Sequence, residues 1–341
     1  MKINMKTQIL HPGDEKKASD ILKSGGIVAL PTETVYGLGA DGLNESAIKK
    51  IFVAKGRPSD NPLILHIAEP EDLSNLVLEV PKKAQVLIDN FWPGPLTIIL
   101  KKTDIVPKAV SGGLDTVAVR CPSNEAIKKV IKHLKRPIAA PSANLSGKPS
   151  PTKFSHVLHD LDGKIDAILD GGDCEIGLES TVIAFNEELP RILRPGKITK
   201  EQIEDLIGDV ILDPAVMGKI KSGQKIMSPG MKYKHYAPKA KVIVIKSNSE
   251  KYIDYVNKNS SENTLSLCFD EDKKYIKGKC ISYGKESDDI SQANLFFDAL
   301  RKIDTLDEVN LVFARCPRRE GVGLAVYNRL IRSSGFEVIT L

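Results

Sequence analysis

Short blocks of apolar positions alternate with amphipathic stretches in the first part of the chain, which predicts a mixed α/β fold. A helix is predicted over Glu45–Lys55, because Ile48, Ile51 and Phe52 fall on one helical face. The remaining apolar runs are too short for helices and are bounded by glycine, proline or polar residues. Strands are predicted at GGIVALP, PLTIILKK, TVAVRC, IAAPS, AILDGG and STVIAF.

Residues 241–341 alternate more regularly, strand by helix, as in a doubly wound α/β domain. Strands are predicted at KVIVIKS, TLSLCF, KCISYG, VNLVFARC and EVITL, and helices over Tyr252–Asn257, Gln292–Ile303 and Leu324–Arg332. We therefore predict an α/β domain over residues 1–208, a linker over 209–240, and a small Rossmann-like parallel-sheet domain over 241–341.

Length and composition indicate an ordinary globular protein. The 341 residues suffice for two domains, and 41% are hydrophobic. The longest apolar runs have the length of strands, far below the roughly 20 residues that a membrane helix needs. The N-terminal residues contain no apolar signal segment, which predicts a cytoplasmic location. The five cysteines are widely spaced and include no CxxC pair, so we predict neither a zinc site nor a disulfide framework.

The net charge of +5 is concentrated in the linker. Residues 1–208 contain 27 lysines and arginines against 27 acidic residues, whereas residues 209–240 contain six lysines against two aspartates. A nucleic-acid-binding face would spread basic charge over a whole domain. A short basic segment instead suits a small anion, or is simply a solvated spacer.

Gly37–Gly42 matches the dinucleotide-binding pattern GxGxxG, but its context argues against that function. Six residues, PTETVY, separate the preceding strand from Gly37, whereas the fingerprint requires a tight turn directly after the strand. The sequence also contains no GxxxxGK[ST] phosphate loop. Neither standard nucleotide motif is therefore predicted.

Two polar segments are better candidates for a binding site. Lys55-Gly56-Arg57-Pro58 places two cations on a turn that could hold phosphate, although a solvated basic turn has the same composition. The segment from Pro141 to Gly147 follows an apolar strand, where α/β sheets bind ligands, although it could simply cap a helix. Arg120 and Arg194 end or follow strands, and such arginines are usually solvated or ion-paired.

These segments carry a resemblance to a known family. PTETVYGLGAD, KGRPSDNPLILHI, WPGPLT, VAVRCP, APSANLSG, GLESTVI and RILRPG occur in the order found in YrdC-type threonylcarbamoyl-AMP synthases. The linker SPGMKYKHYAP and the C-terminal domain resemble the long, two-domain branch of that family. The resemblance implies a twisted open mixed sheet in the first domain. It also implies synthesis of threonylcarbamoyl-AMP and pyrophosphate from L-threonine, bicarbonate and ATP.

The resemblance also implies roles for individual residues. Lys55 and Arg57 would be catalytic, by stabilising charge on the phosphates. Magnesium would accompany the ATP, and no protein ligand for it is nominated. The linker would form a lid, with Lys232, His235 or Tyr236 touching the nucleotide. ATP would contact Lys55, Arg57, Asn61, Thr116, Ser142, Asn144, Ser150, Arg194, His235 and Tyr236, and threonine would contact Thr34, His66, Arg120, Ala140 and Ser180.

The implied partners are a downstream transferase complex that modifies tRNA beside the anticodon and, through a weak contact, tRNA itself. Two alternatives stay open at this point. A carbamoyl-adenylate-forming enzyme of metallocentre maturation shares the domain type but carries zinc-finger-like cysteines. A non-enzymatic RNA-binding module would need the basic surface that residues 1–208 lack.

Overall fold

The computed structural model describes residues 6–185, 187–218 and 236–341. All six strands predicted before the linker are present, and α2 has the predicted bounds. The helices of this part are α1 Glu15–Lys23, α2 Glu45–Lys55, α3 Lys82–Phe91, α4 Lys108–Ser111, α5 Glu125–Leu134, α6 Phe154–Leu161 and α7 Lys200–Ile207. The strands are β1 Gln8–Leu10, β2 Val28–Leu30, β3 Gly37–Asp41, β4 Ile64–His66, β5 Leu96–Lys101, β6 Thr116–Arg120, β7 Ile138–Ala140, β8 Ala167–Leu169, β9 Thr181–Ala184, β10 Arg191–Arg194 and β11 Ile211–Leu212.

These strands form one sheet in the order β1-β8-β2-β3-β7-β4-β6-β5-β9-β10-β11. The sheet is mixed: β4 pairs parallel with β6, whereas β7 pairs antiparallel with both β3 and β4. The mixed open sheet that the resemblance implied for the first domain is therefore confirmed.

The second sheet is entirely parallel, in the order β14-β13-β15-β12-β16. All five predicted strands and all three predicted helices are present, and each helix begins before its predicted start. The elements are β12 Lys241–Lys246, α8 Ser249–Lys258, β13 Thr264–Cys268, β14 Cys280–Ser282, α9 Asp289–Ile303, β15 Leu311–Arg315, α10 Gly321–Ser333 and β16 Val338–Thr340. Short 3-10 turns occur at Pro70–Asn75, Pro214–Val216 and Lys273–Tyr275. The Rossmann-like parallel sheet is thus confirmed.

The two sheets are joined by a shared apolar cluster. Val35 and Leu178, from the part of the chain that builds the first sheet, are buried among residues of the second, including Phe297 and Val326. The first sheet also continues to β11, beyond residue 208, where the first domain is predicted to end. The division at 208 and 240 stays a prediction.

The glycines of the GxGxxG match serve close packing within the sheet. Gly37–Asp41 is β3, an antiparallel strand, and not a turn beneath a helix. A Cβ on Gly39 would lie 2.9 Å from Ile138, and one on Gly42 would lie 2.7 Å from the carbonyl oxygen of Pro137. The sequence argument against a dinucleotide fingerprint is therefore confirmed.

Two further observations concern the described residues only. None of their helices combines the length and apolar character needed to cross a bilayer. All five cysteines are free thiols, and Cys121, Cys174 and Cys268 are buried.

Candidate functional site

A pocket lies against the first sheet where β7, β4 and β6 are neighbours. The strand register pairs Ala140 with Ile64 and Arg120 with His66, and all four residues line the pocket. Residues that are paired across strands share one face of a sheet. The tertiary register therefore brings together three candidate threonine ligands that are far apart in sequence.

Arg120 is held at the end of β6 by three groups. Its Nη1 donates to Thr34 Oγ1 at 2.8 Å, and its Nε donates to the Gly94 carbonyl oxygen at 3.2 Å. Its Nη2 lies 2.7 Å from Glu33 Oε1, in an ion pair whose side chains are each 4% exposed. These contacts fix the guanidinium, which can then present its remaining N–H groups to a carboxylate in the pocket.

Glu33 was not among the residues selected from the sequence. Burial by itself raises the pKa of this carboxyl. The Arg120 guanidinium and the backbone N–H groups that donate hydrogen bonds to the carboxylate outweigh burial and hold the pKa below its usual value. Glu33 is therefore ionised and balances the charge of Arg120. A carboxylate so soon after the apolar strand IVAL is a signal that could have pointed to a buried cationic partner.

His66 lines the pocket as a neutral imidazole. Burial, and secondarily the Arg120 cation, lower the pKa of His66 to about 3. Its Nδ1 is buried and has no hydrogen-bond partner among the described residues. At neutral pH the ring can donate or accept a hydrogen bond, but it adds no charge to the site.

The depressed pKa of His66 makes a measurable contribution to stability. In the unfolded chain the ring binds a proton near pH 6.5, whereas the folded protein resists protonation until about pH 3. The protein therefore loses stability as the pH falls below 6.5. Between pH 7.5 and 5, the part of this loss that comes from His66 is about 2 kcal/mol.

Urea unfolding at both pH values, compared between wild type and His66→Gln, measures this loss. We expect the wild type to lose about 2 kcal/mol more than the variant. His133→Gln, at an exposed position on α5, is the control and should follow the wild type. Equal losses in wild type and His66→Gln would contradict a buried neutral ring.

Lys55 is buried because it continues the apolar face of α2. Ile48, Ile51 and Phe52 precede it at helical spacing, and the side chain is 3% exposed. Its Nζ donates to the backbone carbonyl oxygens of Ser142 and Asn144, both at 2.5 Å. Burial, together with the nearby Arg57 charge, holds the pKa of Lys55 well below its usual value. In this structure Lys55 thus fixes the loop that follows β7.

Arg57 lies on the pocket side of the same turn. Gly56 ends α2 with φ of 60°, a left-handed conformation that suits glycine, and the chain then turns so that Arg57 lines the pocket. Ser142 and Asn144 also line it, and the Ser142 hydroxyl donates to Asn144 Oδ1. The two polar segments selected from the sequence therefore meet at one site.

Arg194 and Ser180 form a second polar group in the pocket. Arg194 Nη2 donates to Ser180 Oγ at 3.1 Å, and Ser180 Oγ lies 2.7 Å from Thr97 Oγ1. Burial lowers the pKa of Arg194 to about 10, so the side chain remains a cation at neutral pH. Glu179 lines the pocket next to Ser180 and was missed in the sequence, although it lies inside the motif GLESTVI.

Four candidate nucleotide ligands do not line the pocket in the described part of the chain: Lys55, Asn61, Thr116 and Ser150. Thr116 lies at the opposite end of β6 from Arg120. Ser150 is fully buried and donates to Glu179 Oε1 at 2.5 Å. Asn61 is 1% exposed, and both polar atoms of its side chain lack partners among the described residues. An orphaned buried amide of this kind is what a ligand would satisfy.

The linker reaches the pocket through Tyr236, which is 5% exposed and packs 5.2 Å from the Phe297 ring, centroid to centroid. Lys232 and His235 lie outside the described residues.

Three arginines and one glutamate line the pocket among the residues described, so its charge favours an anionic ligand.

Comparisons with known proteins agree over nearly the whole chain. Residues 20–196 match the Sua5/YciO/YrdC family model, described as "Telomere recombination". Residues 198–335 match the model described as "Threonylcarbamoyl-AMP synthase, C-terminal domain". The threonylcarbamoyl-AMP synthase of Pyrococcus abyssi is 47% identical over 94% of each chain, and that of Bacillus subtilis is 45% identical over 95% of this chain and 93% of its own.

Solved structures support the same relationship. The crystal structure of Pyrococcus abyssi Sua5 complexed with L-threonine is 43% identical, with a TM-score of 0.91 over 98% of this chain and 99% of that chain. Its similarity extends over both sheets, and the names of the relatives favour a synthase over the two alternatives kept open above. The chain therefore belongs to the threonylcarbamoyl-AMP synthase family, in its two-domain Sua5 form, and is an enzyme.

Proposed function

We propose that the pocket binds L-threonine and ATP together and joins them through bicarbonate. The threonine amine takes up bicarbonate or CO₂ to give a carbamate, with loss of water in the overall reaction. A carbamate oxygen then attacks the α-phosphorus, and pyrophosphate leaves. The observation that carries this proposal is that Arg57, Arg120 and Arg194 line one pocket together with the hydroxyls of Thr34, Ser142 and Ser180.

Threonine is proposed to bind where Arg120 is fixed. Thr34, His66, Arg120, Ala140 and Ser180 all line the pocket, which supports the threonine ligands chosen from the sequence. The Arg120 guanidinium would hold the carboxylate, since a planar guanidinium matches a carboxylate in geometry and charge. Neutral His66 and the Thr34 and Ser180 hydroxyls would surround the rest of the amino acid.

ATP is proposed to bind against Arg57, Ser142, Asn144, Arg194 and Tyr236, with Asn61 completing the site. Negative charge develops on the phosphate oxygens as pyrophosphate leaves, so the two arginines would stabilise the transition state. Lys55 and Ser150 do not line the pocket and would support the ATP site from behind its wall. Thr116 and His235 stay predicted ligands.

Magnesium is proposed to arrive with ATP, as part of the substrate. Among the described residues no group of three or more His, Cys, Asp or Glu side chains could hold a metal ion, and we nominate no protein ligand.

The linker is proposed to cover the site, with Tyr236 at its end. The product would pass to a tRNA-modifying transferase complex in the cytoplasm, with a weak contact to tRNA.

Mass spectrometry of the product formed from ATP, threonine and ¹³C-labelled bicarbonate tests the proposed reaction. We expect pyrophosphate release that depends on both threonine and bicarbonate, and a labelled threonylcarbamoyl-AMP. ATP turnover with no labelled adenylate, or RNA binding with no turnover, would contradict the proposal.

The side-chain pocket predicts which amino acids substitute for threonine. A site that hydrogen-bonds a hydroxyl rejects an analogue lacking it by far more than the roughly 10- to 200-fold that a missing methyl costs. We therefore expect serine to support more pyrophosphate release than valine. Equal kcat/KM values for serine and valine would rule out a hydroxyl contact from Thr34 or Ser180.

A further inference from the structure

The segment from Ser142 to Ser150, which we call the nucleotide loop, is held from two sides. Its first half is fixed from within the first sheet's domain, by Lys55 Nζ on two carbonyl oxygens and by the Ser146 amide, which donates to the Lys55 carbonyl oxygen at 2.9 Å. Its second half, Gly147–Ser150, is contacted by residues from the end of the linker and from the C-terminal domain. These contacts come from three separate places in the C-terminal part of the chain.

The first contact is made by Arg301, near the end of α9. Its Nη2 donates to the Pro149 carbonyl oxygen at 2.6 Å and to Asp160 Oδ2 at 2.9 Å. Asp160 is itself fully buried in α6, and its Oδ2 lies 3.4 Å from the amide nitrogen of Leu145, which donates to it. Arg301 therefore touches the loop directly and also through the carboxylate beneath it.

The second contact is made by Arg329, in α10, and passes through Glu179. Arg329 Nε donates to Glu179 Oε2 at 3.0 Å, and Glu179 Oε1 accepts the Ser150 hydroxyl. The Arg329 side chain is fully buried and that of Glu179 is 8% exposed, so neither charge is screened by water. A third contact joins the Ala237 amide, near the end of the linker, to the Gly147 carbonyl oxygen at 3.0 Å.

We propose that Arg301 and Arg329 are positioning residues for catalysis, through which the C-terminal domain sets the geometry of the nucleotide loop. The inference rests on the proposed role of that loop in binding ATP. Without Arg329, the Glu179 carboxylate would lose its ion-pair partner and keep only the charge of Arg194 nearby, so it would repel phosphate more strongly and hold Ser150 less firmly. Without Arg301, the Pro149 carbonyl and Asp160 would lose their shared donor.

The experiment measures steady-state pyrophosphate release by the full-length enzyme at varied ATP and varied threonine. We expect Arg329→Met and Arg301→Met each to raise KM for ATP at least about tenfold, and by at least about fivefold more than KM for threonine. Asn294→Ala is the matched control. Asn294 lies on α9 like Arg301 and also donates across to the first part of the chain, but to the carbonyl oxygens of Cys174 and Glu175, away from the loop. Its KM for ATP should stay within about twofold of wild type.

A rescue experiment separates positioning from a general loss of structure. Glu179→Gln removes the charge that Arg329 balances but keeps an oxygen that can accept from Ser150. In the double variant Glu179→Gln, Arg329→Met, KM for ATP should therefore return to within about threefold of Glu179→Gln alone. If Arg329→Met does not fold, the double variant and Arg301→Met carry the test.

The outcomes are distinct. Unchanged KM for ATP in both arginine variants, equal rises in both KM values, or no rescue by Glu179→Gln would overturn the inference while leaving the proposed function intact. Absence of threonine-dependent pyrophosphate release in the wild type would instead overturn the proposed function.

Discussion

Arg57→Ala is expected to lower kcat/KM for pyrophosphate release by roughly 30- to 900-fold while leaving the fold stable. This corresponds to about 2–4 kcal/mol of lost transition-state stabilisation, the scale of one preorganised electrostatic group. Arg57 is half-buried in the pocket wall, so its loss should change the free energy of unfolding by about 1 kcal/mol or less.

The neighbouring Lys55→Met should behave differently, although the sequence alone suggests the same role for both cations. Lys55 is buried and satisfies two carbonyl oxygens, so its loss should lower the free energy of unfolding by about 2–4 kcal/mol as well as activity. Urea unfolding and pyrophosphate release on the same preparations measure both effects. Lys49→Met, at an exposed position on the same helix, is the control.

Two outcomes would contradict this assignment. Near-wild-type turnover of Arg57→Ala would show that the turn after α2 is not part of the active site. An unchanged urea midpoint for Lys55→Met would show that the contacts with Ser142 and Asn144 do not stabilise the loop.

Arg120→Met is expected to abolish threonine-dependent turnover and to destabilise the protein by about 3–5 kcal/mol, because it leaves the buried Glu33 carboxylate without its cation. Adding Glu33→Gln should restore most of the stability, since the substituted amide is uncharged and its oxygen can still accept from the Ser123 amide. Turnover should not recover, because the substrate carboxylate still lacks its guanidinium.

Lys258→Met tests the same kind of change at the surface. Lys258 pairs with Asp254 at 2.7 Å, but the two side chains are 72% and 61% exposed, so we expect a loss of about 1 kcal/mol or less and normal turnover. Recovery of turnover in the Glu33, Arg120 double variant would show that Arg120 only stabilises the fold. Thermal or urea unfolding with parallel kinetics decides between these results.

Much of the architecture could be predicted locally. The apolar runs that became β5, β6, β7 and β9 are self-contained signals, because a strand-length apolar segment bounded by turn residues has few other uses. Five strands of the first sheet were not predicted: β1, β3, β4, β10 and β11. Four of them have only two to four residues, which give too little pattern, and β3 is the glycine-containing segment GLGAD. Such strands depend on a neighbouring strand for their hydrogen bonds.

The ordered motifs in the sequence determined the family, and with it the reaction and most of the residues that line the pocket. The spacing of Ile48, Ile51, Phe52 and Lys55 even contained the information that Lys55 is buried. That pattern did not show which groups the Lys55 ammonium binds. Its partners are carbonyl oxygens that lie roughly 90 residues away, and only folding brings them within reach.

The tertiary structure alone decided how the charges are paired. Glu33 with Arg120 and Glu179 with Arg329 are separated by 87 and 150 residues in the sequence, so no local pattern connects them. Burying a charge is costly unless an opposite charge lies beside it. This pairing depends on the register of β6 and on the packing of α10 against the first sheet's domain. The sequence by itself therefore determined which residues could carry the chemistry, whereas only the fold decided which of them face the pocket and which hold it in shape.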